Sequence, residues 1–207
     1  MSHQREISEF VQRLKKLLSY NLGKEGRQTT LRMELEIVKE YIALQQMRYD
    51  FIIEMNIEDG SYLDQPTVRM LFQPLVENAI RYGLGDDEKI SIQVFEDVAR
   101  HLAVVTISDS GKGLNQEEID EINQPFDYDW GYWKNENRGI GLRYVKAMLE
   151  SFYDGQTSLF VNSKKGFGTR ITILLPVRKP EEKKEKDKEV TLEENKVGQT
   201  DESIDCR

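Results

Sequence analysis

Apolar residues near the start of the chain fall at Ile7, Phe10, Val11, Leu14, Leu17 and Leu18, an i, i+3, i+4, i+7 stripe that predicts a helix over residues 6–22. Gly23 and Gly26 punctuate its end. So continuous a stripe suits packing on the helix's own domain and equally a partner outside this sequence. Thr30 is a candidate cap for a second helix, in which Leu31, Leu35, Val38 and Ile42 form the buried stripe, with Tyr41 and Leu44 on an adjoining face and an end near Arg48. Residues 51–57, FIIEMNI, read as a strand, and Asp59-Gly60 as a turn. Leu71, Leu75, Asn78 and Tyr82 then return to helical spacing within LFQPLVENAIRYG, residues 71–83.

Residues 89–96 and 102–108 alternate or run apolar over strand lengths, with 97–101 as a hairpin connection in which His101 is a turn residue. Two more strands, 157–162 and 169–175, flank a turn at Gly166 and Gly168. Between the pairs lie a short helix near 117–122 and a longer one, 142–152, with Val145, Leu149 and Phe152 inward. Two antiparallel strand pairs with helices between them imply an α+β fold, a two-layer sandwich with a mixed, mainly antiparallel sheet. After Pro180 the chain has no aromatic residue and dense charge of both signs, so residues 180–207 are expected to be a disordered tail.

Composition narrows the function classes. A net charge of −8 argues against a nucleic-acid surface. The single cysteine, Cys206, excludes an internal disulfide framework and points to a reducing compartment. With His3 and His101 the only histidines, no metal site can be built on Cys and His. The chain holds neither an apolar run of about 18 residues nor a signal-peptide pattern, so a soluble, cytoplasmic domain is expected.

Four polar clusters carry candidate chemistry. Asn78 offers a neutral oxygen to a hard cation such as Mg2+, while Glu77 and Arg81 lie on adjoining helix faces, where a carboxylate and a guanidinium could converge on the same bound group. A buried helix with a polar end would look the same. Asp109-Ser110-Gly111-Lys112-Gly113 follows directly on a strand; its carboxylate suits an amino group such as that of adenine, although tight turns often contain Asp and Gly. Gly139-Ile140-Gly141-Leu142 opens the longer helix, a place for phosphate or simply a glycine-rich helix start. Gly166-Phe167-Gly168-Thr169 precedes the last strand and brings a hydroxyl near Asp109.

In this order the four clusters resemble the Bergerat-fold ATP-binding domain of sensor histidine kinases, DNA gyrase, MutL and the heat-shock ATPases. QPLVENAIRYG with GIGLRYV looks like the LytS/YesM type of sensor kinase, and LSYNL…TLRMELEIVKEYIALQQMRY like its linker into the catalytic domain. The resemblance covers about residues 7–177. It implies Asn78 as ligand to Mg2+, Glu77 supporting the metal's water shell, Arg81 reaching the phosphates and Tyr82 lying against the nucleotide. It further implies Asp109 reading the adenine amino group, Gly111 and Gly113 shaping the pocket floor, and Thr169 binding through water beside Asp109. Gly139, Gly141 and Leu142 would bring a helix start to the phosphates, with Arg138 a further phosphate candidate.

Two departures qualify it. Hydrolytic members place a glutamate four residues before the asparagine, where this chain has Pro74, so efficient ATP hydrolysis is not expected. His3 is followed by Gln4-Arg5-Glu6 and does not match the His-Phe phosphoacceptor segment of the LytS/YesM type. The expected organisation is a remnant of the dimerisation helix and linker over 1–28, an ATP-binding domain over 29–179, and the tail. The expected activity is a protein-histidine kinase's, moving the ATP γ-phosphoryl group to a histidine on a dimerisation helix absent from this chain. The partners implied are a homodimeric parent anchored in a membrane and a response regulator, with no nucleic acid. Autophosphorylation of this chain alone is not expected. A nucleotide-sensing module without phosphotransfer and an anti-sigma-type serine kinase remain as alternatives. The aromatic residues Phe126, Tyr128, Trp130, Tyr132 and Trp133 read either as a loop pinned to its own domain or as a lid over nucleotide.

Overall fold

The computed structural model describes residues 2–23, 29–84, 89–123 and 140–177. Helix α1 (Ser2–Asn21) begins five residues before the apolar stripe. A two-residue strand β1 (Thr29–Thr30) leads into α2 (Leu31–Gln46), whose first turn is capped by the Thr30 hydroxyl accepting the Met33 N–H at 3.2 Å. Strand β2 (Ile52–Ile57), a 3-10 turn (Ser61–Asp64) and a second two-residue strand β3 (Pro66–Thr67) precede α3 (Gln73–Tyr82). The remainder comprises β4 (Lys89–Asp97), β5 (Leu102–Asp109), α4 (Gln116–Asn123), α5 (Ile140–Phe152), β6 (Ser158–Lys164) and β7 (Gly168–Pro176).

Five strands form one sheet in the order β2-β4-β5-β7-β6, with β2 parallel to β4 and every other pairing antiparallel. Register puts the apolar set on one face: Ile92 opposite Ile107, Ile107 opposite Ile171, and Val105 opposite Ile173. These residues are buried together with Leu75, Val76 and Ala79 of α3 and Leu142, Val145 and Leu149 of α5. Each of the Val, Leu and Ile side chains contributes roughly 1.5–3 kcal/mol by leaving water. Gln93, Thr106 and Thr172 line up in register on the other face, away from the buried side on which α3 and α5 pack. The fold is the expected α+β two-layer arrangement.

Three expectations shift. The α1 stripe divides: Leu17 packs with Tyr20, Ile37 and Leu44, beside Phe10 and Tyr41, whereas Ile7, Val11, Leu14 and Leu18 are exposed. Hence α1 both packs on its own domain and presents a second apolar line outward, and a division at 28 runs through one hydrophobic cluster. Phe152, expected inward, is 38% exposed; Tyr153 takes the buried place and donates its hydroxyl proton to Thr67 Oγ1 at 2.9 Å. The antiparallel β1–β3 pair is too short to leave an alternation in the sequence. Two compact units divide the chain at Met1–Pro176 and Val177–Arg207; the tail beyond 180 and the aromatic residues from Phe126 to Trp133 lie outside the described residues.

Candidate nucleotide site

One face of α3 lines a cavity through Leu75, Asn78, Ala79, Tyr82 and Gly83. Across from it stand the end of β5 and the following loop, with Ile107, Asp109, Lys112, Gly113 and Leu114. Thr169 and Ile171 of β7, Glu118 and Ile122 of α4, and Leu142 and Arg143 at the start of α5 complete the wall. The cavity is thus apolar inside, with a few polar groups converging at its rim, as small-molecule sites are.

Its floor is made by two loops that interlock. Asp109 Oδ1 accepts the N–H of Gly111 at 3.0 Å and of Thr169 at 3.1 Å, joining the loop after β5 to the start of β7. Among the described residues no donor engages Oδ2. Gly168 lies at φ +91°, and a Cβ there would stand 2.1 Å from the Asp109 carbonyl oxygen. Gly113, at φ +63°, would bring a Cβ 2.1 Å from the Lys164 carbonyl oxygen. Both positions therefore require glycine for conformation and for space together. Gly111 backs directly onto Gly83 at the end of α3, where a Cβ would lie 2.4 Å from the Gly83 Cα. The Ser163 hydroxyl ties the corner further, donating to the Gly168 carbonyl at 2.9 Å, accepting the Leu114 N–H at 2.8 Å and lying 2.9 Å from Thr169 Oγ1. Burial pushes the Asp109 carboxyl above its ordinary value, and the two backbone N–H groups pull it back.

Asn78 meets the other glycine cluster. A Cβ on Gly141 would lie 3.4 Å from Asn78 Nδ2 and 3.7 Å from Pro74, so the start of α5 rests against the asparagine side of α3. Leu142 is buried there. Tyr82 faces the cavity with the Lys112 ammonium 4.8 Å from its ring centroid. Arg138 and Gly139 lie outside the described residues.

Glu77 and Arg81 lie on another face of α3, with the Arg81 guanidinium 5.8 Å from the Tyr82 ring centroid. Neither joins Asn78 at the cavity; both line a separate groove with Tyr41, Gln45, Arg48 and Tyr49. Successive helical residues point about 100° apart, so adjacency in sequence turned Glu77 toward α2. Conversely, Lys112, Glu118 and Arg143 line the cavity although the motif reading assigned them nothing. The first lies inside the Asp-Gly cluster and the last directly follows GIGL, so position alone marked both. Glu118 is marked by a capping box: its Oε2 accepts the Asn115 N–H at 2.8 Å, and Asn115 Oδ1 accepts the Glu118 N–H at 2.9 Å.

Residues 63–179 match the family model of the histidine kinase-, DNA gyrase B- and HSP90-like ATPases. The chain belongs to this ATPase family. A histidine-kinase model matches residues 1–52 as well. Sensor protein kinase HptS of Staphylococcus aureus is 30% identical over 168 residues, which cover 81% of this chain and 32% of that protein. The chain thus spans about a third of the length of the curated relatives it matches. Among solved structures, the fold is shared with the histidine kinase AdeS of Acinetobacter baumannii, with TM-score 0.51 and 19% identity over 86% of this chain and 82% of that one. It is also shared with the histidine kinase domain of the Erythrobacter litoralis EL346 blue-light activated histidine kinase, with TM-score 0.50 and 19% identity over 82% and 74%.

Proposed function

We propose that this kinase region binds ATP with Mg2+ and transfers the γ-phosphoryl group to a histidine imidazole on a dimerisation helix outside the chain, within a homodimeric, membrane-anchored parent of the LytS/YesM type that serves a response regulator. The observation that carries the reading is Asp109, which lines the cavity with Oδ1 held by two backbone N–H groups and Oδ2 left for a ligand's donor. Adenine supplies such a donor in its amino group. Thr169 would assist through water, Gly111 and Gly113 would form the floor, and Tyr82 would lie against the nucleotide.

The donor set fits Mg2+ held jointly by nucleotide and protein. Among the described residues no group of three or more His, Cys, Asp or Glu gathers, so these residues offer no carboxylate cage. Mg2+ keeps its waters and accepts one or two protein oxygens beside phosphates, and the Asn78 carboxamide is such an oxygen. When bound, the ion supplies charge neutralisation across the phosphates. Gly141 and Leu142, with Gly139 and Arg138 before them, would bring the start of α5 toward the same phosphates. The remaining work is positioning, since phosphoryl transfer needs little covalent chemistry from the protein. Pro74 offers no base to activate water, which favours transfer over hydrolysis.

The test is incubation with γ-labelled ATP, alone and with a separately supplied dimerisation helix bearing a histidine. Acid-labile phosphate should form on the added helix and not on this chain. His101 sits in the β4–β5 turn at the far end of β5 from Asp109, on the order of 25 Å away at about 3.3 Å per residue. Stoichiometric label on the chain alone, lost in His3→Ala, would overturn the reading, as would no transfer at all.

A further inference from the structure

Glu34 is an ionisable group that the phosphotransfer reading leaves unused, yet it is only 1% exposed and stands where three elements meet. Its Oε2 accepts the Leu71 N–H at 2.7 Å, and its Oε1 accepts the Met70 N–H at 2.8 Å together with the Tyr20 hydroxyl proton. Helix α3 has no side-chain cap of its own at Phe72, so α2 supplies the carboxylate that satisfies the backbone entering it. A negative charge at that end also suits the helix dipole. Met70 is held at φ +56°, a conformation that a non-glycine residue keeps only when its surroundings impose it.

The same segment grips the last turn of α1. Arg69 Nη1 donates to the Tyr20 carbonyl at 2.7 Å, and its guanidinium lies 4.6 Å from the Tyr20 ring centroid. The Tyr20 hydroxyl, 2.7 Å from Thr29 Oγ1, closes the arrangement inside the protein. Burial raises the Glu34 carboxyl above its ordinary range against the pull of these hydrogen bonds, and raises the Tyr20 phenol as well.

We infer that Glu34, held by Tyr20, is the positioning residue that seats Asn78, tying the end of α1 to the start of the helix that carries the metal-binding amide. From Leu71 to Asn78 is about 10 Å of backbone at 1.5 Å per residue, nearly all of it α3, too short to absorb a shift at its origin. A displacement of α1 therefore reaches Asn78 through Tyr20, Glu34 and residues 69–71. The reverse also holds, because coupling between two sites is reciprocal. This inference rests on the ATP reading of the cavity.

The experiment is hydrogen exchange on the whole chain with and without ATP and Mg2+, for the native protein, Tyr20→Phe and Glu34→Gln. Tyr20→Phe keeps the ring beneath Arg69 and removes only the hydroxyl. In the native chain nucleotide should slow exchange at residues 109–113 and also, about fivefold or more, at residues 18–22, which lie outside the cavity. In Tyr20→Phe the response at 109–113 should persist while that at 18–22 is lost, and ATP affinity should weaken by a similar factor. Should Glu34→Gln fail to fold, Tyr20→Phe still decides. Protection at 109–113 with no native response at 18–22 overturns the coupling and leaves ATP binding standing. An equal response at 18–22 in Tyr20→Phe assigns the latch a purely structural role and also overturns it. No native protection at 109–113 overturns the ATP reading itself, and the coupling with it.

Discussion

Helix α3 carries two polar faces from one short stretch of sequence, and they meet different surroundings. Asn78 and Tyr82 line the cavity beside Asp109 and the start of α5; Glu77 and Arg81 line the groove toward α2. In that groove the Tyr41 phenol is pushed up to about 12, first by burial and then by the Glu77 charge. A polar cluster that looks like one site in sequence is thus two, divided by the helical turn. The difference sets Asn78 and Tyr82 toward the proposed nucleotide site and Glu77 and Arg81 toward α2.

The sharpest way to break this comparison lies opposite the cavity face, at Asp109. ATP should be preferred over GTP by on the order of 10⁴-fold, because guanine would set a carbonyl against the carboxylate and leave it unpaired. Asp109→Asn keeps the size and adds a donor, so the preference should collapse. Displacement of a fluorescent ATP analogue by each nucleotide reads this directly. Equal displacement of the analogue from the native chain would remove Asp109 from base recognition.

Asn78→Ala should come next in size. Losing one neutral oxygen from a charged centre weakens binding by roughly 10- to 100-fold, and only the part that depends on Mg2+. Calorimetry with and without Mg2+ separates the two components. An unchanged magnesium dependence would show that the cavity face of α3 does not hold the ion.

The groove face should respond least among the substitutions. Glu77→Gln and Arg81→Ala should each change ATP affinity by less than about threefold and stability by no more than about 0.5 kcal/mol, as exposed positions do. A loss from Arg81→Ala comparable with that from Asn78→Ala would rejoin the two faces into one site.

These outcomes mark how far the sequence could be read. Among the described residues, periodicity found the five main strands and the five α-helices because each spans enough residues to repeat a pattern. It missed β1 and β3, which are two residues each and owe their place to pairing with each other. The glycine clusters were legible as a set, but the reason for Gly113 and Gly168 was not: each lies against a carbonyl oxygen far along the chain. Glu34 was invisible for a similar reason. Nothing in LRMELEIV tells a buried glutamate from a solvated one until the backbone of Met70 and Leu71 arrives beside it. That Glu77 and Arg81 line a groove apart from Asn78 was not legible either, because spacing along a helix states which residues are neighbours and not which way the shared face turns.

The smallest effect, and the one that tests Asp109 as an ionised acceptor, is its pH dependence. Burial raises its folded-state pKa above the ordinary value of 3.8, with the Gly111 and Thr169 N–H groups opposing. A carboxyl raised on folding favours the protonated native state. Its contribution to stability is therefore complete below the unfolded pKa and lost as the pH rises through the folded one. Adenine recognition runs the other way, because the ionised carboxylate is the stronger acceptor. ATP affinity should rise across the same window in which this stability contribution falls. Comparing the native chain with Asp109→Asn at each pH, by nucleotide titration and by urea midpoint, cancels the other titrating groups. The two differences should move in opposite directions from about pH 4 toward neutrality. If affinity and stability rose together, the carboxylate would be paired within the protein and the base would be read by another group.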